Sequence, residues 1–377
     1  MNNSTDPNDD HIEPYVTIWR LFVGAWELLM FVVATPANIL VAAISCSIMR
    51  THVRPNNNNV TYRNHHLCVL SMAVADLLFS LGHCPIMFAH YALMLELNGV
   101  GCRVMYFMTH FSTVGSSLSL LWLNLDRFTC VRYPIRYYIA SSQEKVEALI
   151  IGGWLVSMGW SLFFIFGPMA KGFDDSCKVY VEEPYLYYFT FVVTFFVLPI
   201  TLSLIISLYV LFVAVKVRRT DYLPPRRVRL SEHPQYAIVE LRRCRPSTPA
   251  TSSSHSSSLT SNMSPSKIWK IKSVTFVFIT TIWSCLTLLP YRTAFLFFYF
   301  HQEPWLAQLA LVLFAVMIAN SAGNPFITLL TQNQYREKAG ILCTRVQHAG
   351  EATIGRRLTA SSTASESVLV RMRAMTI

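Results

Sequence analysis

The stretch from Leu186 to Val215 reads LYYFTFVVTFFVLPITLSLIISLYVLFVAV, a run with no acidic or basic side chain. A helix that crosses a bilayer needs roughly 20 mostly apolar residues, and this segment exceeds that length. Six more stretches of the same character lie near 19–48, 66–93, 103–130, 147–168, 273–300 and 305–330. Together they predict an all-α membrane protein, a seven-transmembrane helix bundle over 19–343, with no room for a second globular domain. Composition agrees. Of 377 residues, 53% are hydrophobic and 14% charged, whereas soluble domains carry roughly a quarter charged residues.

The chain starts with an acidic, polar segment, Met1 to Glu13. It lacks a basic leader and a small-residue cleavage site, so the first apolar stretch reads as a permanent span rather than a signal peptide. Lysine and arginine set the orientation, because basic loops favour the cytoplasmic side. With residues 1–18 outside, 26 of the 31 lysines and arginines fall in inside segments. The net charge of +10 therefore belongs to loops between membrane spans and does not point to nucleic acid. The expected location is the plasma membrane, with the amino terminus extracellular and the carboxyl terminus cytoplasmic.

In that topology only Cys102 and Cys177 lie at the oxidising face, where a bridge is allowed; the other reading is two free thiols. Cys46, Cys68, Cys84, Cys130 and Cys285 read as packing residues. Glycan acceptor sequons occur at Asn2, Asn3, Asn59 and Asn262, and the topology exposes only Asn2 and Asn3 to glycosylation.

Around 218–267 the composition changes, with Pro224-Pro225, basic pairs at Arg226-Arg227 and Arg242-Arg243, and a serine-rich run from Thr251 to Ser261. A cytoplasmic tail, 344–377, is similar. Such segments bury too little apolar surface to order themselves. They read either as kinase substrates, with arrestin as a further partner, or as soluble spacers.

Polar groups inside the spans are costly and face the bundle interior. Asn38, Asp76, Ser116, Asn124, Asn320, Ser321 and Asn324 are such groups. A carboxylate among hydroxyls and amides suits a hard cation, so Asp76 among these groups is a candidate sodium site, or else part of a network that fixes helix register. Asp126-Arg127-Phe128 closes the third span, followed by Pro134. Pro199, Pro290 and Pro325 are candidate helix bends, since proline in a membrane helix frees a carbonyl.

These motifs, in this order and spacing, resemble the rhodopsin-like G-protein-coupled receptors over nearly all of 19–343. The resemblance rests on Asn38-Ile39-Leu40-Val41, Ala73-Val74-Ala75-Asp76-Leu77, Cys102, Asp126-Arg127-Phe128, Trp154, Pro199, Pro290, Asn320-Ser321-Ala322-Gly323-Asn324-Pro325, and Tyr335-Arg336 of a short amphipathic eighth helix. It implies that Arg127 faces a heterotrimeric G protein, that Asp76, Ser116, Asn320, Ser321 and Asn324 are the family's sodium pocket, and that Cys343 is a candidate for palmitoylation. No other cofactor is implied, and no enzyme activity. The chain also departs from the family. Leu288 replaces the switch tryptophan, Ser284 a phenylalanine, Thr328 and Ser207 two tyrosines, and Lys270 an acidic latch for the arginine.

Ile318 stands in place of a retinal-anchoring lysine, and Thr109 in place of the aspartate of amine receptors. Leu289-Pro290-Tyr291-Arg292-Thr293 resembles the sixth helix of the thyrotropin-releasing-hormone receptor and its invertebrate neuropeptide relatives, although His110, Val114 and Phe314 differ from it. An extracellular peptide is the expected ligand, with Thr109, His110, Thr113, Tyr291, Arg292, Phe295 and Glu27 lining its pocket. A buried arginine needs an acceptor, and for Arg292 that is either the ligand or an internal acid such as Glu27. The rivals are a constitutive or decoy receptor with altered switching, and a membrane transporter. A transporter would be expected to show related halves and interrupted midplane helices; the sequence shows neither.

Overall fold

The computed structural model describes residues 9–51, 60–97, 99–133, 137, 143–166, 170–173, 179–181, 184–221, 265–301, 303–342 and 344. In chain order these form α1 (Asp9–Thr51), α2 (Val60–Gly82), α3 (Cys84–Ala92), α4 (Gly99–Arg132), α5 (Gln143–Phe166), a β1 (Ala170–Phe173) and β2 (Val179–Val181) hairpin, α6 (Pro184–Val192), a π-helical turn Val193–Val197, α7 (Leu198–Asp221), α8 (Pro265–His301) and α9 (Pro304–Thr331). Residues 333–342 form a further short helix, α10.

Seven spans result, because α2 with α3, and α6 with the π turn and α7, each make one. Six segments are long and apolar enough to cross a membrane: Ile18–Arg50, Arg63–Ala92, Glu144–Phe163, Tyr188–Lys216, Ser273–Phe298 and Pro304–Thr331. The seventh, α4, is as long but sits at the centre of the bundle. Its buried face carries Thr109, Ser112, Thr113, Ser116, Ser117, Ser119 and Asn124, which lower its apolar content. The first helix runs further than the expected 19–48, to Asp9 and Thr51. The antiparallel hairpin between α5 and α6 was not expected from the sequence.

Around the ring, α1 packs on α2 and α9, α2 on α4, α4 on α7, α7 on α8, and α8 on α9, while α5 lies outside against α4. One half of the core is aromatic, built on Phe79, Phe191, Phe195 and Phe196 with Leu288, Met317 and Ile318. The other half, toward Arg127, joins Val41, Ile44, Val69, Leu123, Phe276 and Tyr335.

The prolines explain the local irregularities. Proline has no N–H, so the carbonyl four residues earlier loses its helix partner. Pro199 frees Phe195 O, the backbone loosens into the π turn, and the Ser117 hydroxyl of α4 donates to that oxygen at 2.8 Å. Pro325 frees Ser321 O, which accepts from the Asn38 amide of α1 at 2.9 Å. Pro290 lies inside α8 without interrupting it. Pro85 opens α3 and breaks the second span at His83, a bend that the sequence reading missed.

Candidate functional site

Polar side chains gather at three depths along the bundle. At one end, Asp126 and Arg127 close α4, and both are buried. Arg127 donates from Nε (3.0 Å) and one terminal nitrogen (2.7 Å) to Asp126 Oδ2, and from the other terminal nitrogen to Ser273 Oγ of α8 at 3.2 Å. The Tyr137 hydroxyl donates to Asp126 Oδ1. Burial, and then the neighbouring Asp126 carboxylate, push the Tyr137 phenol up, so it keeps its proton and remains a donor. Among the described residues the guanidinium is therefore tied to its own helix by charge and to α8 by the neutral Ser273 hydroxyl. Phe128 is half-buried against Tyr209, ring centroids 5.6 Å apart. Pro134 lies outside the described residues, as does the side chain of Lys270.

Near the middle, Asp76 Oδ1 accepts from Ser116 Oγ at 2.9 Å and Oδ2 from Asn324 Nδ2 at 2.8 Å. A cavity of ≈ 10 Å³ adjoins it, lined by Asp76, Ser112, Thr113, Ser116, Leu288, Met317, Asn320 and Ser321 among others. That is about the space one water-sized sphere occupies. All five residues expected to meet do so here. Ser284 and Thr287 of α8 turn to Asn320 Oδ1, at 3.5 and 3.0 Å. The fully buried Thr328 donates to Asn324 O of its own helix at 2.9 Å.

Toward the far end, Arg292 is 4% exposed. It donates to Thr113 Oγ1 at 3.1 Å and lies over the Phe196, Phe191 and Tyr291 rings, at 4.3, 5.4 and 5.4 Å from their centroids. A guanidinium on aromatic faces is held by the ring quadrupoles. Tyr291 stacks on Phe295 at 5.6 Å, and Phe295 meets Tyr188 edge-on at 5.5 Å. His110 lies against Phe191 at 4.9 Å.

The suggested Arg292–Glu27 pair is corrected by the structure. Glu27 is completely buried on α1, and its Oε1 lies 3.5 Å from His83 Nε2. His83 Nδ1 meets Thr109 Oγ1 at 2.8 Å. Glu27 and Thr109 thus share a cluster beside the second-span break, and among the described residues the charged partner of Glu27 is His83 rather than the arginine. The sequence reading also passed over His83, Ser273 and Tyr137. His83 could have been found from Pro85, which places a break beside it.

Trp154 donates to Ser71 Oγ at 3.0 Å. Cys46, Cys68, Cys84, Cys130 and Cys285 carry free thiols. Cys102 is buried at the start of α4. Asn2, Asn3, Cys177 and Cys343 lie outside the described residues.

Among the described residues the bundle holds the buried Asp126–Arg127 pair at one end and the Asp76 cluster at mid-depth, an arrangement that accords with the receptor resemblance of the sequence. Comparison with known proteins agrees. The model of the "7 transmembrane receptor (rhodopsin family)" matches residues 37–327, and the chain belongs to this family. Its relatives include the G-protein coupled receptor aex-2 of Caenorhabditis elegans, 24% identical over 343 residues, which are 89% of this chain and 87% of that protein. Human melanopsin is 27% identical over 161 residues, 41% of this chain and 34% of its own length. The octopamine receptor Oamb of Drosophila melanogaster is 29% identical over 161 residues, 41% of this chain and 23% of its own. The chain therefore spans most of the worm receptor but about a third or less of the other two. As a member of a signalling-receptor family, it is not an enzyme.

Proposed function

We propose that this protein is a plasma-membrane receptor, amino terminus outside, that is activated by an extracellular peptide and passes the signal to a heterotrimeric G protein at the Arg127 end. The observation that carries this reading is the tie between Arg127 and Ser273. One hydroxyl of α8 holds the buried guanidinium, so outward movement of that helix end releases Arg127 toward a partner below the membrane. The worm relative's description as a G-protein coupled receptor supports the coupling. Ile318 and Thr109 argue against the retinal or amine that the melanopsin and octopamine receptor names would suggest.

On this reading the peptide enters above Arg292, Thr113, Tyr291, Phe295 and His110, and Glu27 and Thr109 act through His83. Asp76, Ser116, Asn320, Ser321 and Asn324 fit a sodium ion. They offer oxygen ligands, and the buried Asn324 Oδ1 beside Asp76 has no hydrogen-bond partner. The ion would neutralise the Asp76 carboxylate. Cys102, buried at the start of α4, bridges to Cys177. Asn2 and Asn3 carry glycan, Cys343 a palmitoyl chain, and the serine-rich loop and tail phosphate for arrestin.

A second reading is a receptor with high basal activity. It is favoured by the neutral Ser273 hydroxyl where a carboxylate would bind Arg127 about twice as strongly. The experiment is a peptide screen in cells expressing the chain, reading cyclic nucleotide, calcium and arrestin recruitment. A cognate peptide should give a response that Arg127→Ala abolishes; full signalling by that variant would sink the mechanism.

A further inference from the structure

His65 of α2 is 1% exposed, yet neither ring nitrogen has a hydrogen-bond partner. A neutral imidazole holds one donor and one acceptor, and leaving them unmade in a bundle interior costs more than a hydrogen bond normally contributes. An unmet acceptor in such a place suits a partner that arrives in another packing of the helices.

Three observations say which partner. The edge of the His65 ring meets Phe276 of α8, centroids 5.7 Å apart at 90°. Phe276 is one helical turn from Ser273, the residue that holds Arg127, so both lie on the same face of α8. Asn64, the residue before His65, donates to the Tyr137 hydroxyl at 3.5 Å, and that hydroxyl donates to Asp126, which holds Arg127. His65 thus lies on the part of α2 that faces the Asp126–Arg127 pair, with the aromatic ring of α8 against its edge.

We propose that His65 is the acceptor that takes Arg127 when α8 lets it go. This rests on the reading that the Arg127 end of α8 moves outward on activation. One displacement then does two things. It withdraws Ser273 from the guanidinium, and it withdraws Phe276 from the imidazole edge. The freed N–H of Arg127 turns to a ring nitrogen of neutral His65, and the arginine is held extended for the G protein. His65 is a positioning residue; it touches Arg127, not the partner.

The test uses full-length receptor in lipid nanodiscs, with nucleotide-free heterotrimeric G protein, chosen from a purified panel by capture on the unmodified receptor, as probe. His65→Phe, which keeps the ring and loses the acceptor, should weaken capture by about tenfold, the value of one hydrogen bond to a charged group. His65→Gln, which restores an acceptor oxygen, should capture within about threefold of the unmodified receptor. Melting temperature is measured alongside, so that loss of fold is read separately. Unchanged capture by a folded His65→Phe overturns the proposal. So does equal loss in both variants, which would mark His65 as a packing residue. Arg127→Ala capturing normally, or no capture by the unmodified receptor, would instead overturn the proposed coupling.

Discussion

The indole of Trp283 on α8 lies directly against Gly323 of α9, so closely that a Cβ at 323 would overlap Nε1 and the adjoining ring carbons. The contact joins the sixth and seventh spans beside the Thr287–Asn320 bond. Gly323→Ala should therefore force the two helices apart and destabilise the receptor by roughly 1–3 kcal/mol, the usual cost of overpacking a core. Thermal unfolding in detergent measures this. The double variant with Trp283→Leu should recover most of the loss, and failure to recover would place the strain elsewhere.

Asn38 caps the carbonyl that Pro325 leaves open. Asn38→Leu should cost about 1–3 kcal/mol, the penalty for an unsatisfied buried acceptor. In a Pro325→Ala background the backbone N–H of residue 325 can return to Ser321 O, so the same substitution should cost less there. Equal losses in both backgrounds would disprove the cap.

Ser273 gives two predictions of opposite sign. Ser273→Ala removes a neutral bond from α8 to Arg127, worth about 1 kcal/mol, and should raise basal nucleotide exchange several-fold. Ser273→Asp replaces it by a charge-assisted bond roughly twice as strong and should lower basal exchange below the unmodified receptor. Measured GTP-analogue binding in membranes separates the two; a shift in the same direction for both would refute the tie.

Sodium should stabilise the receptor through Asp76. Melting in sodium chloride should exceed melting in an organic-cation chloride of equal ionic strength, and Asp76→Asn should erase the difference. A difference that survives in Asp76→Asn would move the ion elsewhere.

Much of the bundle is legible in the sequence because the bilayer imposes length and apolarity on each span, and because interior polar residues stand out against that background. Asp76 and the interior polar residues could be grouped that way, and the family resemblance narrowed them to five. Pairings that depend on how helices rotate and slide against one another could not. Periodicity shows which face of α8 carries Arg292, but not that Thr113 and the Phe196 ring are at its depth while Glu27 sits beside His83. The same limit hid Ser273, an unremarkable serine until α8 is packed against α4. Pro85, inside the second apolar run, is legible as a break beside His83.

The two carbonyls opened by Pro199 and Pro325 hold a further consequence. Each has exchanged a bond inside its own helix for one to a neighbour, from Ser117 and from Asn38. The fifth span is thereby moored to the third, and the seventh to the first, at single points where no water waits to replace a lost donor. Sliding a whole helix would break its mooring, whereas tilting about it would not. The bundle is built to swing its ends around fixed fulcrums, with the middle of each moored helix nearly still.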